Sequence, residues 1–265
     1  ADVMVVQDSV ESSRDAAGLA AHLALRMGDN CLILGQQLAA WCGHAPELEE
    51  DIAISNVALD LIGQARLWLD YAGTLEGQGR DADRLAFERQ SRQFTNLLLV
   101  EQPHPDFAVT LMRQFLFDCW HLPMLQGLVE SQDAVIAGIA QKAVKEVRYH
   151  LDRSSDLIIR LGDGSVESHA MMQAALDALW RFTGEMVTAD EHDTAISDAR
   201  LMVALAEIKP SFDQHVQRCL ASATLSVPDV AGMRFGGKTG LHGEAMDFIL
   251  AEMQVLPRGF PGAKW

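Results

Sequence analysis

Positive charge is scarce in this sequence. Against 37 aspartates and glutamates stand only 21 lysines and arginines, a formal net charge of −16. That balance disfavours nucleic acid and anionic membrane surfaces, which bind through dense cationic patches. A phosphate-rich ligand would need a local basic patch such as Arg234 with Lys238. Cysteine is scarce as well. Cys31, Cys42, Cys119 and Cys219 form no C-x-x-C pair, so the spacing of a thiol redox or zinc site is missing. All four lie in apolar helical patterns and read as buried free thiols in a reducing compartment. No run alternates strictly enough to predict a strand. None approaches the ~20 apolar residues that a membrane-spanning helix requires. The opening ADVMVVQDSVESSRD is acidic and lacks the apolar centre of a secretory signal, so the expected location is the cytoplasm. Fixed-period repeats, low-complexity tracts and domain linkers are not evident.

What the chain does have is helix-forming material. Its 265 residues are 49% hydrophobic, enough for a large core in one soluble domain. Ala, Leu, Met, Gln and Glu are abundant, which favours helix. The expected class is all-α, with six to eight helices. Residues 1–13 read as a loose acidic tail, and residues 14–265 as a single domain.

The first helix is expected from near Ser13 to Trp41, interrupted at Asp29 and Asn30. The second follows Pro46 and runs to about Gly73, with Ile52, Val57, Leu59, Ile62 and Leu69 on its apolar stripe. Residues 74–103 hold short pieces, ADRLAFER and TNLLLVE. The third spans Asp106 to Ser131, and Pro123 inside it predicts a kink or local break. The fourth spans Ile139 to Gly162. A fifth carries Met171 to Phe182, and a polar segment (Thr188 to Arg200) follows. A sixth spans about Leu201 to Ala223, and a last one about Leu241 to Leu256.

The fourth helix organises the rest. Ile139, Ala143, Val147, His150, Leu151, Leu157, Ile158 and Leu161 recur at three- and four-residue spacing, so they form one apolar stripe. Glu146 and His150, four apart, project from the same side. A carboxylate and a His on long core helices are the material of ferritin-like di-iron bundles, which use a Glu from each of two helices and a Glu-x-x-His from each of two others. Here the pattern is broken twice. Tyr149 stands three residues after Glu146, and Gly63 stands three after Asp60. The polar residues expected at the core are Asp60 with Gln64, Asp118 with His121, Glu146 with Tyr149 and His150, and Asp29 with Gln36 on the first helix.

Each has a plainer reading. Glu146 and His150 fit a buried ion pair or hydrogen-bond network with Asp60 or Arg148. Asp118 and His121 fit packing around the Pro123 break, and His44 a helix boundary. Asp190, Glu191, His192 and Asp193 look like a solvated acidic run. Gly236-Gly237-Lys238 is a weak phosphate cradle, since no strand precedes it and the Walker spacing is absent.

Longer motifs carry a family resemblance. RMGDNCLILGQQLAAWCGHAPELEEDIAISNVALDLIGQAR (Arg26 to Arg66), RQFTNLLLVEQP (Arg92 to Pro103), KAVKEVRYHL (Lys142 to Leu151), LWRFTGEM (Leu179 to Met186) and GGKTGLHGE with LAEMQ (Gly236 to Gln254) follow one another in order. From about His22 to Trp265 the chain resembles the non-catalytic C subunits of phenylacetyl-CoA 1,2-epoxidases. The resemblance implies a ferritin-like four-helix-bundle core with additional C-terminal helices, and no metal or catalytic residue in this chain. It also implies partners: a catalytic subunit that holds a di-iron centre and binds the CoA thioester, small accessory subunits, and a reductase carrying electrons from NADPH through flavin and iron–sulfur groups. Such a complex epoxidises the ring of phenylacetyl-CoA during aerobic phenylacetate breakdown. Two other expectations stand beside it. One is a self-sufficient di-iron oxygenase using Asp60, Asp118, His121, Glu146 and His150. The other is a small-molecule binder using the Gly236–Gly240 loop for a phosphate.

Overall fold

A computed structural model describes residues 2–263, and the side chains of residues 16–263. No strand occurs among the described residues. In chain order the α-helices are α1 (Asp2–Ala39), α2 (Leu48–Glu76), α3 (Ala82–Phe87), α4 (Phe107–Leu128), α5 (Ala134–Gly162), α6 (Val166–Leu179), α7 (Gly184–Val187), α8 (Glu191–Asp198), α9 (Leu205–Ser222) and α10 (Glu244–Gly259). Seven of them have 14 or more residues, which matches the six to eight expected from periodicity.

Local chemistry sets the ends. The carboxylate of Asp106 accepts from Val109 N at 2.9 Å and opens α4. Asp133 accepts from Val135 N and Ile136 N and opens α5, while Tyr71 Oη donates to its other oxygen at 2.5 Å. Caps of this kind contribute ~1 kcal/mol each. The Asp133 cap explains why α5 begins at Ala134 and not at Ile139. α2 starts under Glu49, Glu50 and Asp51, where the helix dipole favours acids, and stops at Gly77 in the left-handed conformation.

The structure corrects several expectations. α1 starts earlier than the apolar pattern places it, and Asp29 and Asn30 lie within it without a break. The side chains of residues 1–15, which include the expected tail, lie outside the described set. α4 is continuous through Pro123, because neighbouring elements bury it almost completely and hold it in place. The polar segment Thr188 to Arg200 contains α8, opened by a reciprocal capping box between Asp190 and Asp193. α9 begins at Leu205, four residues later than expected, and α10 continues through Pro257 to Gly259. The buried stripe of α2 also differs. Ile52 and Leu59 are exposed, and Ile62 is 37% exposed. The face that enters the core is Ile54, Val57, Ala58, Leu61, Gln64, Ala65, Trp68 and Leu69.

α1 and α2 form one antiparallel hairpin, and α4 and α5 another, each across a short turn. The long connection holding α3 and a one-turn helix at Leu98–Glu101 crosses between them. Two hairpins joined by one long crossover make a ferritin-like bundle. α6 and α9 pack on the α4–α5 hairpin, α8 on α1, and α10 on α3. One contiguous apolar core runs from Ala20 through Met253. α4 lies at its centre, with Phe115, Leu116, Phe117 and Leu125 fully buried. Gly28 and Gly35, seven apart on α1, let α2 come close: a Cβ at Gly28 would sit 2.8 Å from Leu69 Cδ2, and one at Gly35 would sit 3.0 Å from Ile62 Cγ1.

Two glycines of α2 should therefore respond oppositely to alanine. A Cβ at Gly73 would lie 1.9 Å from Arg80 O, whereas at Gly63 it meets nothing. Gly73→Ala should cost about 1–3 kcal/mol by overpacking. Gly63→Ala should gain about 0.5–1 kcal/mol from helix propensity. Urea melts monitored by circular dichroism measure both, and a stabilising Gly73→Ala would contradict the contact.

Candidate functional site

The register of α5 decides which side chains enter the bundle. Ala143, Val147, His150, Ser154 and Ile158 are all buried, while Tyr149 is 58% exposed. Tyr149 therefore lies outside the polar cluster in which it was expected. His150 takes the inward position, and the buried residue three places before it is Val147. The Glu-x-x-His spacing on this helix is thus filled by Val147-x-x-His150, an apolar side chain where a carboxylate would stand. On α2 the inward position belongs to Gln64, which is 3% exposed. Asp60 sits at the rim, its side chain 38% exposed.

A thread of contacts joins the four bundle helices. Gln64 Nε2 of α2 donates to Glu146 Oε2 of α5 at 2.7 Å. Cys31 Sγ of α1 lies 3.8 Å from Gln64 Oε1 and 3.9 Å from His121 Nε2 of α4. His121 also packs against the rings of Phe117 and Trp120. Beside this thread, His150 Nε2 lies 2.9 Å from Asp60 Oδ2. Cys31 is legible in the sequence as a buried thiol, but its place in the polar thread is not, since nothing in a lone cysteine signals a partner.

Burial governs the protonation of these groups. His121 is pushed down to about 3, first by desolvation and then by the nearby His150. His150 is also lowered, by desolvation that outweighs its contact with Asp60. Both imidazoles are neutral at pH 7. Desolvation raises Glu146 as well, opposed by the hydrogen bond from Gln64.

Asp118 is the extreme case. It is fully buried and has no cation in direct contact. Gln114 Nε2 donates to one of its oxygens at 2.6 Å and Ser154 Oγ to the other at 2.8 Å. Desolvation outweighs both bonds and pushes its pKa up to about 8. At pH 7 it is mainly a neutral acid.

These residues do not fit a di-iron centre. Such a site needs four carboxylates and two histidines around one point. Of the inward positions, α1 supplies a thiol, α2 an amide and α5 a valine beside its histidine. Asp118, Glu146 and His150 are each engaged by another side chain. The Nδ1 atoms of His121 and His150 have no partner, yet among the described residues no three His, Cys, Asp or Glu side chains are arranged so that they could hold a metal ion. What remains is an acid-and-amide network suited to holding helices in register.

A second polar network, which no sequence motif announces, ties α1 to the crossover and to the Gly236–Gly240 loop. Asp29 is fully buried and paired with Arg89. It also accepts from Thr95 N at 2.8 Å. The expected pairing of Asp29 with Gln36 therefore does not form. Arg26 reaches Asp190 and Asp193, each at 2.5 Å, and Asp193 also accepts from Lys238 Nζ at 2.6 Å. The acidic run expected to be solvated thus contains a carboxylate that is 5% exposed. Lys238 is 8% exposed, held by Asp193 and by Thr188 O at 2.8 Å. The loop does cradle an anion, but an internal one. Glu185 accepts from Gly236 N at 2.9 Å, Lys238 N at 3.3 Å and Leu98 N at 2.9 Å. With Lys238 and these loop amides occupied, the phosphate-binding reading falls. Glu101 completes the set, taking Gly243 N at 2.7 Å and lying 2.7 Å from His242 Nδ1. Burial lowers His242, but the bond and charge of Glu101 overcome it and leave the group above the ordinary histidine value.

Among the described residues, no helix is long and apolar enough to cross a membrane. A family model described as "Phenylacetic acid catabolic protein" matches residues 4–265. A protein of Escherichia coli (strain K12), named as the C subunit of 1,2-phenylacetyl-CoA epoxidase, is 50% identical over 241 residues, covering 91% of this chain and 97% of its own.

The Asp118 assignment has a pH signature. Its folded pKa is raised, so the stability it contributes is complete below the unfolded value of about 4 and lost as pH rises through about 8. Asp118→Asn keeps the shape without the titration. Its stability advantage over wild type should open as pH rises from about 4 and level off past about 8, reaching on the order of a few kcal/mol. Denaturant titrations across that range measure it. A constant gap would mean that Asp118 is charged in the folded protein.

Proposed function

The chain belongs to the phenylacetic acid catabolic protein family, and from that membership we propose that it is the structural C-type subunit of a phenylacetyl-CoA 1,2-epoxidase complex. The carrying observation is the interior of the bundle: its inward positions hold Cys31, Gln64 and Val147 beside two neutral imidazoles, not the ligands of an iron pair. The 50% identity to the Escherichia coli protein supports the same reading. In it, a separate catalytic subunit holds the di-iron centre and the CoA thioester. This chain stabilises that subunit without touching substrate. Accessory and reductase subunits, with NADPH as the electron source, complete the cytoplasmic assembly.

The polar thread has a structural task in this reading. A bundle that once needed carboxylates for metal charge would be left with uncompensated buried anions, each costing several kcal/mol. Replacing them with an amide, a thiol and a valine, and protonating Asp118, removes that cost and keeps the helices spaced.

Metal content of the purified chain, expressed alone in iron-replete medium, tests the proposal together with co-expression of the di-iron subunit. The expected result is metal well below one per chain, and co-elution of the two subunits with iron following the partner. About two irons per chain, with oxygen uptake that Asp60→Ala plus Glu146→Ala abolishes, would instead return the self-sufficient oxygenase.

A further inference from the structure

His242 is held in a way that a neutral imidazole cannot satisfy. It stands between the Gly236–Gly240 loop and Gly243, the N-cap of α10, and its side chain is 3% exposed. Nδ1 lies 2.7 Å from Glu101 Oε2, and Nε2 lies 2.9 Å from Phe94 O. Both neighbours are acceptors, and a neutral ring has only one N–H. Neutral His242 would therefore turn a lone pair toward one of these oxygens at hydrogen-bond distance. The imidazolium donates from both nitrogens and fits both. Glu101 is unsuited to supply the missing proton. Its Oε1 accepts from Gly243 N at 2.7 Å and its Oε2 from Asn96 Nδ2 at 3.1 Å, bonds that favour the ionised carboxylate. Among the described residues Phe94 O takes no other hydrogen bond.

The surrounding charges agree with a cation. Asp29 of α1 adds a second negative charge that favours it. Arg89 of the crossover is bound to Asp29 and lies over the Phe94 ring, 4.0 Å from its centroid. Lys238 is taken by Asp193, and Glu185 by loop amides. Arg92 on the crossover and Glu244 in the first turn of α10 are exposed. Burial holds His22, His104, His121, His150 and His215 below the ordinary histidine value, whereas His242 goes the other way.

The ring joins segments 141 residues apart. On one side are Phe94 and Glu101 of the crossover. On the other, the glycine loop comes in on bare backbone: a Cβ at Gly237 would lie 2.2 Å from Asn96 O, and one at Gly240 2.3 Å from Arg92 O. Backbones that close have no side chains to interlock, so polar bonds hold them. Glu185 and Lys238 supply these at the start of the loop, and the His242–Glu101 pair at its end. Residues 231–235, which lead into the loop, are all exposed.

We propose that doubly protonated His242 is a pH-operated latch, which seats the end of the glycine loop and the start of α10 on the crossover while it is a cation and releases them when it loses a ring proton. The inference stands apart from the subunit assignment above, since it needs no other protein. The folded value is raised, so the contribution of the latch is complete below the unfolded value of about 6.5 and is lost as pH rises through the folded one.

Nuclear magnetic resonance of the purified full chain with nitrogen-15-labelled histidine tests it, together with hydrogen exchange corrected for the intrinsic effect of pH. Both ring nitrogens of His242 should be protonated at neutral pH, and the ring should titrate above about 6.5. Over the same pH step the amides of Gly240 to Gly243 should lose protection, about tenfold for each unit by which the folded value is raised, while α4 and α5 stay protected. His242→Gln keeps one N–H donor and should abolish the step, with protection close to that of the alkaline wild type. Glu101→Gln should move the step to lower pH. The wild-type titration decides even where a variant does not fold. His242 titrating at or below about 6.5 overturns the proposal. So does protection that is unchanged across the titration, lost equally from α4 and α5, or still stepped in His242→Gln.

Discussion

The cost of placing a carboxylate in an apolar interior shapes this molecule more than any other interaction. Among the described residues five acids are buried: Asp29, Glu101, Asp118, Glu185 and Asp193. Removing a carboxylate from water costs several kcal/mol unless charge and hydrogen bonds replace the water. Three solutions appear. Asp29 and Asp193 take cations, from Arg89 and from Arg26 with Lys238. Glu185 takes three backbone N–H groups, while Glu101 combines an N–H, an amide and an imidazole. Asp118 has only two neutral donors and gives up its charge. The first two solutions hold the crossover and the glycine loop onto α1. The third sits inside the bundle, where an iron pair would have been the obvious counter-charge.

This contrast explains why the two networks have different parts to play. The Asp29–Arg89 and Arg26–Asp193–Lys238 pairs bridge segments far apart in sequence, so they fix the long connections that periodicity alone leaves free. Breaking one partner would leave an uncompensated charge, the costly case for buried pairs. In the bundle interior His121 and His150 are unprotonated and Asp118 is mainly protonated, while the carboxylates of Glu146 and Asp60 stay at its more exposed edge. Neutral groups such as these imidazoles and the Asp118 acid can be buried without a counter-ion.

Much of the fold is legible because helices of 14 or more residues repeat their apolar pattern several times. Periodicity locates α4 and α5 within a few residues. The ends are harder, since a cap such as Asp133 acts one turn before the first core residue. The outer stripe of α2 shows a sharper limit. Ile52, Leu59 and Ile62 are apolar and helically spaced, as core residues are, and only tertiary structure shows that Ile54, Leu61 and Trp68 face inward instead. A helix with two apolar faces cannot reveal from sequence which one is covered. The site is legible in kind and not in register. Gln64, Asp118, His121 and His150 are buried in the bundle, while Glu146 is only half-buried, Tyr149 turns out to solvent and Asp60 stops at the rim. Lys238 reads as a ligand group because its glycines suggest an anion cradle; the anion is Glu185, 53 residues before Lys238 in the chain, a separation no local motif encodes.

The same α2 joins the interior to the surface. Its inward face carries Gln64, which links Cys31 to Glu146, and its rim carries Asp60, which contacts His150. Its outer face carries the exposed Leu48, Ile52, Leu59 and Ile62. Apolar side chains on the outside of a strongly acidic protein would be an aggregation hazard if they were contiguous and flat. On α2 they form a narrow line with Glu47 and Glu49 at one end and Arg66 at the other, and Phe248, Val255, Leu256 and Phe260 at α10 are exposed as well.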